Sequence, residues 1–138
     1  MEKQVEIAIK MTQQMDGEQD VTESVQPGKM YESNGKIYLI YEESLGDQEA
    51  SVTTRVKIQE DAVTVTRNLK PKTKMEFICG KKTACSYRTP MGALLLGIDT
   101  VRYDIFQKEN GFKLYLDYHM ELNDVLVSFN QMVIIVRW

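Results

Sequence analysis

Few residues in this sequence are equipped for chemistry, and their spacing argues against most of it. The chain holds one histidine, His119, and two cysteines, Cys79 and Cys85. A zinc site needs nitrogen and sulfur ligands in spacings such as Cys-x-x-Cys or His-x-x-x-His, and neither occurs, so no metal and no cofactor are expected. A Ser/His or Cys/His nucleophile would have to use His119, which reads as a surface strand residue with nothing to mark a partner. Walker-type and Gly-x-Gly-x-x-Gly phosphate loops are absent. No catalytic residue is assigned, and the expectation is a protein that is not an enzyme. Cys79 and Cys85 bracket Gly80-Lys81-Lys82-Thr83-Ala84, which reads as a hairpin turn that would set the thiols opposite each other. The N-terminus, Met-Glu-Lys-Gln, lacks the apolar block of a signal peptide. In an unexported, cytoplasmic protein both thiols are expected to be reduced, buried and inert.

Charge narrows the partners. Seventeen Lys and Arg stand against twenty Asp and Glu, a net charge of −3 with a pI near 5.2. Arg67, Lys70, Lys72, Lys74, Lys81, Lys82 and Arg88 nevertheless follow one another with a single acid, Glu76, among them. The bland explanation is a strand edge and loop kept soluble by lysine. With an acidic remainder and no base-stacking aromatic motif, no nucleic-acid partner is expected.

The elements that must position any site follow from period two. Val5, Ile7, Ile9 and Met11 alternate with Glu6, Ala8, Lys10 and Thr12. Val52 to Gln59 and Phe112 to Asn123 alternate in the same way. Such a pattern puts one face of an antiparallel strand on a core and the other in water. A helix through Val5, Ala8, Ile9 and Thr12 would leave Ile7 on its polar side, so strand is the better reading there. Asp16-Gly17, Pro27-Gly28, Asn34-Gly35, Gly46-Asp47, Glu60-Asp61, Lys70-Pro71, Gly80-Lys81, Asn110-Gly111 and Asn123-Asp124 all fit turns. No segment offers a long amphipathic helix to cover an open sheet. The expected fold is therefore all-β: one domain over residues 1–138, an antiparallel up-and-down (meander) β-barrel of about eight to ten strands. No apolar run approaches the roughly 18 residues of a membrane helix. The longest, Met91 to Ile98, is broken by Gly92 and Gly97.

Hairpin register then places a candidate site. A two-residue turn at Asn123-Asp124 pairs Tyr118 with Phe129 and Leu116 with Gln131. A like turn at Asn110-Gly111 pairs Tyr103 with Tyr118. Val101, Tyr103, Ile105, Leu116, Tyr118, Met120, Val127, Phe129 and Gln131 then share one face, the interior, because the other carries Arg102, Asp104, Asp117 and His119. Tyr103, Tyr118 and Gln131 become polar tips in an apolar barrel, satisfied by one another, by a trapped water or by a ligand. A turn at Glu60-Asp61 pairs Thr54 with Arg67, which brings Arg67 to the rim as an anion contact.

Three stretches form a more specific pattern: Gly35-Lys36-Ile37-Tyr38-Leu39-Ile40-Tyr41-Glu42-Glu43, then Tyr87-Arg88-Thr89-Pro90-Met91-Gly92, then Asp117-Tyr118-His119-Met120-Glu121-Leu122. Together they resemble the YwiB-like family of uncharacterised bacterial β-barrels from Firmicutes, over essentially the whole chain. The resemblance implies a cytoplasmic barrel with a calycin (lipocalin-like) fold and no assigned activity, and it supplies no catalytic residues. The Gly-x-Trp of secreted lipocalins is missing, since the one tryptophan is Trp138. The Arg-x-Tyr pair of fatty-acid binders is missing too: Arg102 and Tyr103 are adjacent and point to opposite faces.

Two functions compete. A barrel of this strand number is just wide enough to hold one small ligand, here an apolar or amphipathic one bound through Tyr103, Tyr118, Gln131 and Arg67. Alternatively its core is solid and its outer surface, including Tyr38 and Ile40, is a protein-interaction or regulatory patch. Tyr87 to Gly92 reads as a structural corner, with Pro90 extending Thr89 and Gly92 permitting a bend.

Overall fold

Period-two alternation is realised along nearly the whole chain. The computed structural model describes residues 2–44, 51–68, 72–90 and 92–138. Within them ten strands follow in order: β1 (Glu2–Met15), β2 (Glu18–Ser33), β3 (Lys36–Ser44), β4 (Ser51–Ile58), β5 (Ala62–Arg67), β6 (Thr73–Ile78), β7 (Lys82–Thr89), β8 (Gly92–Lys108), β9 (Gly111–Leu122) and β10 (Val125–Arg137). All pairings are antiparallel, and the hydrogen-bonded order is β6-β5-β4-β3-β2-β1-β10-β9-β8-β7. The described residues contain no helix, hence none long and apolar enough to cross a membrane. The expected all-β antiparallel barrel is what forms.

The seam lies where the sequence suggested a hairpin. β6 and β7 stand at opposite ends of the strand order, so the Cys79 turn does not join a paired ladder. Side chains and single backbone bonds close the gap instead. The Thr83 hydroxyl donates to the Glu76 carbonyl, and Gly80 N donates to the Thr100 carbonyl at 3.0 Å. Phe77 meets Tyr118 edge-on at 4.8 Å between ring centroids. The barrel is thus nearly closed, which leaves little bare edge for another chain to pair with. The cysteine expectation needs correcting: both thiols are free, but Cys79 sits exposed in the turn while Cys85 is half-buried on β7. Burial pushes the Cys85 thiol up from its ordinary value, making it a poor nucleophile.

Turn chemistry explains most of the register. Asp16-Gly17, Asn34-Gly35 and Asn123-Asp124 all adopt positive φ at both central residues, the mirror-image turn whose twist suits a two-residue hairpin. Pro27-Gly28 is not a turn. It lies within β2, where a Cβ on Gly28 would come within 2.4 Å of Ile7 Cδ1 and 2.9 Å of the Ile40 carbonyl, so glycine there lets β2 pack against the core. The Gly46-Asp47 and Lys70-Pro71 turns, and Met91, lie outside the described residues.

Two bulges reset the inward face. Between Leu126 and Ser128 one residue of β10 goes unpaired, so Tyr118 opposes Asn130 rather than Phe129. Between Thr100 and Arg102 another extra residue, Val101, is left out of the pairing and 52% exposed. The β8–β9 turn also sits one residue earlier than expected, at Glu109-Asn110, which moves the pairing by two: Tyr103 opposes Leu116. A shift of two keeps side-chain parity, and Tyr103 and Ile105 still face in.

The core is apolar at the end that carries the chain termini. Ile7, Leu39, Val63, Phe112, Leu114 and Ile134 are each at most 1% exposed there. A leucine-sized side chain so buried contributes about 2 kcal/mol by removal from water.

Candidate functional site

Toward the end bearing the β3–β4 and β5–β6 connections, the interior changes character. Alternation along β3 points Leu39, Tyr41 and Glu43 inward, alternation along β4 does the same for Thr54 and Val56, and along β5 for Val65 and Arg67. Tyr41 opposes Thr54, which opposes Arg67, as the turn at Glu60-Asp61 predicted. The Glu43 carboxylate collects the donors. Thr54 Oγ1 donates to its Oε1 at 2.9 Å, and Arg67 Nε lies 3.4 Å from the same oxygen. The pair is sheltered rather than sealed, with 30% of the Arg67 side chain and 24% of the Glu43 side chain exposed.

Two tyrosines complete the layer. Burial, followed by the negative charge of Glu43, holds the Tyr41 hydroxyl well above the ordinary tyrosine range. Burial pushes Tyr118 up to about 12, against the opposing pull of the Arg67 guanidinium. Both phenols are therefore neutral donors at physiological pH. Tyr118 Oη spends its donor on a weak acceptor, Met11 Sδ at 3.6 Å. Beside it, opposite on β8, the fully buried Thr100 hydroxyl has no hydrogen-bond partner among the described residues. Buried hydroxyls are normally paired, so such an orphan marks a place for a water or a ligand atom.

The sequence-derived set is only half assembled. Tyr118 and Arg67 come together. Tyr103 faces in but is half-buried and donates to the Gln59 carbonyl, tying β8 to the β4–β5 turn, away from the other two. Gln131 is a miss: the β10 bulge puts it outside, exposed and opposite Asp117. Asn130 takes the inward place, 1% exposed, and donates through Nδ2 to Ser128 Oγ at 3.0 Å. Phe129 likewise points out, covered by the His119 ring at 4.9 Å. Glu43, Tyr41, Thr54 and Thr100 went unpredicted, although alternation from Leu39 would have turned Glu43 inward. The layer already holds one anion, the Glu43 carboxylate, on Arg67 Nε and the Thr54 hydroxyl. What it can still offer an anionic atom is the rest of the guanidinium with the Thr100 and Tyr118 hydroxyls, which have no acceptor or a weak one among the described residues.

The basic run does not form one face. Arg67 is inside, Lys82 pairs with Glu121 at 2.6 Å, Lys72, Lys74 and Lys81 are exposed, and Lys70 lies outside the described residues. Tyr38 points out but is half-buried, stacked on Tyr31 at 4.8 Å.

Comparison with known proteins agrees with this architecture. The uncharacterized beta-barrel protein YwiB of Bacillus subtilis (strain 168) is 29% identical over 135 residues, covering 96% of this chain and 92% of that protein. The crystal structure of ywiB protein from Bacillus subtilis superposes with a TM-score of 0.85 at 26% identity, over 99% of this chain and 92% of the other. The family model described as "Domain of unknown function (DUF1934)" matches residues 7–134, and the chain belongs to that family of uncharacterised β-barrels.

Proposed function

We propose that the barrel is a non-enzymatic, cytoplasmic binding protein for a small amphipathic anion, whose acidic group is held by Arg67 and Tyr118. One observation carries this reading: an arginine, a buried threonine and two neutral tyrosines occupy inward positions where aliphatic side chains would avoid the desolvation cost. Arg67 presents five N–H donors: Glu43 engages Nε, and Nη1 reaches only a weak acceptor, Met75 Sδ at 4.0 Å, which a carboxylate or phosphate oxygen would replace. Tyr118 can exchange a thioether acceptor for an anionic oxygen, a stronger partner. Inward-facing Met11, Met75 and Met132 are flexible enough to repack around an apolar tail. The two free thiols suit a reducing compartment.

Dodecanoate and dodecanol test this as probes that share a tail and differ in charge. Calorimetric titration should show one dodecanoate per chain, bound more tightly than dodecanol. Arg67→Gln should weaken dodecanoate about tenfold or more and leave dodecanol nearly unchanged, the loss of one charge-assisted contact. If Arg67→Gln affects both alike, the guanidinium does not hold the acidic group and the reading fails; if neither probe binds, the lumen is solid. The second reading then takes over, an interaction module working from its surface. Exposed Leu95 and Leu126, near the β9–β10 turn, favour that alternative.

A further inference from the structure

A second polar site lies on the outside of the same strands. Residues 51–88 carry nine basic and three acidic side chains, although the whole chain is net negative. Alternation sends Thr54 and Arg67 inward and their neighbours Thr53, Arg55, Thr66 and Asn68 outward. Arg55 opposes Thr66, which opposes Lys74. Asn68 N donates to the Thr53 carbonyl at 3.0 Å, which extends the β4–β5 edge past the last ladder pair. The result is a cleft of about 380 Å³ lined by Thr53, Arg55, Thr66, Asn68 and Lys72.

Among the described residues its charges find no acidic partner. Arg55, Lys72 and Lys74 are exposed and make no ion pair with a described residue. The acid nearest in register, Glu42, is held by other donors, Thr53 Oγ1 at 2.6 Å and Ser51 Oγ at 3.2 Å. Elsewhere on the outer face lysines and arginines do find carboxylates: Lys10 with Glu23, Lys82 with Glu121, Arg102 with Asp104. Two unpaired cations, a hydroxyl and a carboxamide that converge on one concave site match an anion with several oxygens and more than one charge.

We propose that this cleft binds a small phosphate-bearing molecule, with Arg55 and Lys72 on the phosphate oxygens and Thr66 and Asn68 completing the contacts. The site is separate from the Arg67 layer, because the two sets point to opposite faces of one sheet. It therefore stands or falls independently of the proposed lumen ligand.

Inorganic pyrophosphate is the probe, titrated calorimetrically into the full chain at physiological ionic strength. One pyrophosphate should bind per chain. Arg55→Ala and Lys72→Ala should each weaken it about tenfold or more, the effect of a lost charge-assisted contact. Lys10→Ala removes the same charge from β1 and should change affinity less than twofold. Arg55, Lys72 and Lys10 are all exposed, and thermal melts check that the variants fold. Absence of pyrophosphate binding, or equal loss in Lys10→Ala, overturns the proposal. So does binding restricted to a long oligonucleotide, which would reveal a diffuse polyelectrolyte surface with no built site.

Discussion

The two ends of the barrel interior are built from the same alternating strands and filled by opposite means. Toward the termini, Ile7, Leu39, Phe112, Leu114, Ile134 and Val136 pack with at most 1% exposure and no polar group to satisfy. Toward the β3–β4 and β5–β6 connections, Glu43, Thr54, Arg67, Tyr41 and Tyr118 occupy equivalent inward positions, where Glu43 accepts from Thr54 and Arg67 and Tyr118 turns to Met11 Sδ. The first arrangement gains stability in proportion to area removed from water. The second gains little, because desolvation of an ion pair offsets most of its attraction. A barrel that needed only to fold would repeat the first solution at both ends. The difference therefore separates a part of the molecule that holds the fold from the polar part on which the proposed recognition rests.

That division is broken most directly at its apolar side. Phe112 is 1% exposed and tilts against Trp138 at 6.5 Å between centroids, with Lys3 Nζ 4.0 Å over the tryptophan ring. Phe112→Ala should cost about 4 kcal/mol, lost transfer energy plus the cavity left behind. Arg67→Gln should cost about 1 kcal/mol, since the ion pair is partly solvated and Thr54 still satisfies Glu43. Urea unfolding of both variants measures the contrast. Equal losses would mean that Arg67 is a structural member and that the polar end is simply another way of building the core.

A finer test concerns neighbours on β10 whose places the bulge exchanged. Asn130 is buried and bonded to Ser128, whereas Gln131 is exposed. Asn130→Ala should destabilise by roughly 2 kcal/mol, because it leaves Ser128 Oγ buried without that partner. Gln131→Ala should fall within about 0.5 kcal/mol of the parent. The reverse order in urea midpoints would restore the unbulged register.

The same bulge marks where the sequence stopped being legible. Along β1, β4 and β9 apolar residues occupy one parity, so strand, face and register could be read directly, and the meander and its closure followed from turn spacing. Along β10 apolar residues occupy both parities: Val127, Phe129, Val133 and Ile135 on one, Met132, Ile134 and Val136 on the other. Alternation cannot choose between them, and counting from the Asn123-Asp124 turn carries the wrong parity past the extra residue. Tyr103 survived because its hairpin erred by two residues, not one. Arg67 and Tyr118 were found by register, but Glu43, the partner of Arg67, was not. Which acid meets which base across a barrel depends on strand tilt and closure, which no single hairpin encodes. The seam escaped for the same reason, since β6 and β7 are adjacent in sequence and separated in the ladder.

The smallest effect separates the ends by pH. A tyrosine whose folded value is raised favours the native state while the phenol is neutral, and that contribution disappears as the unfolded form ionises. Tyr118 stands at about 12 in the fold against an ordinary value of 10.0. Its contribution is whole below pH 10 and is lost as pH climbs from 10 toward 12. By pH 11 the loss should be roughly 1 kcal/mol, given that one unit of difference is worth about 1.4 kcal/mol. Tyr41, raised by burial and by Glu43, should add to the fall in the same direction. Tyr118→Phe removes its own share, so urea midpoints of that variant should decline less steeply between pH 9 and 11 than those of the parent. Phe112→Ala has no titrating group at the site and should keep the parent's slope while lying below it throughout. Parallel curves for Tyr118→Phe and the parent would mean that the phenol ionises in the fold as it does in water. Tyr118 would then face solvent, and the polar layer around Arg67 would be a surface feature of the barrel mouth.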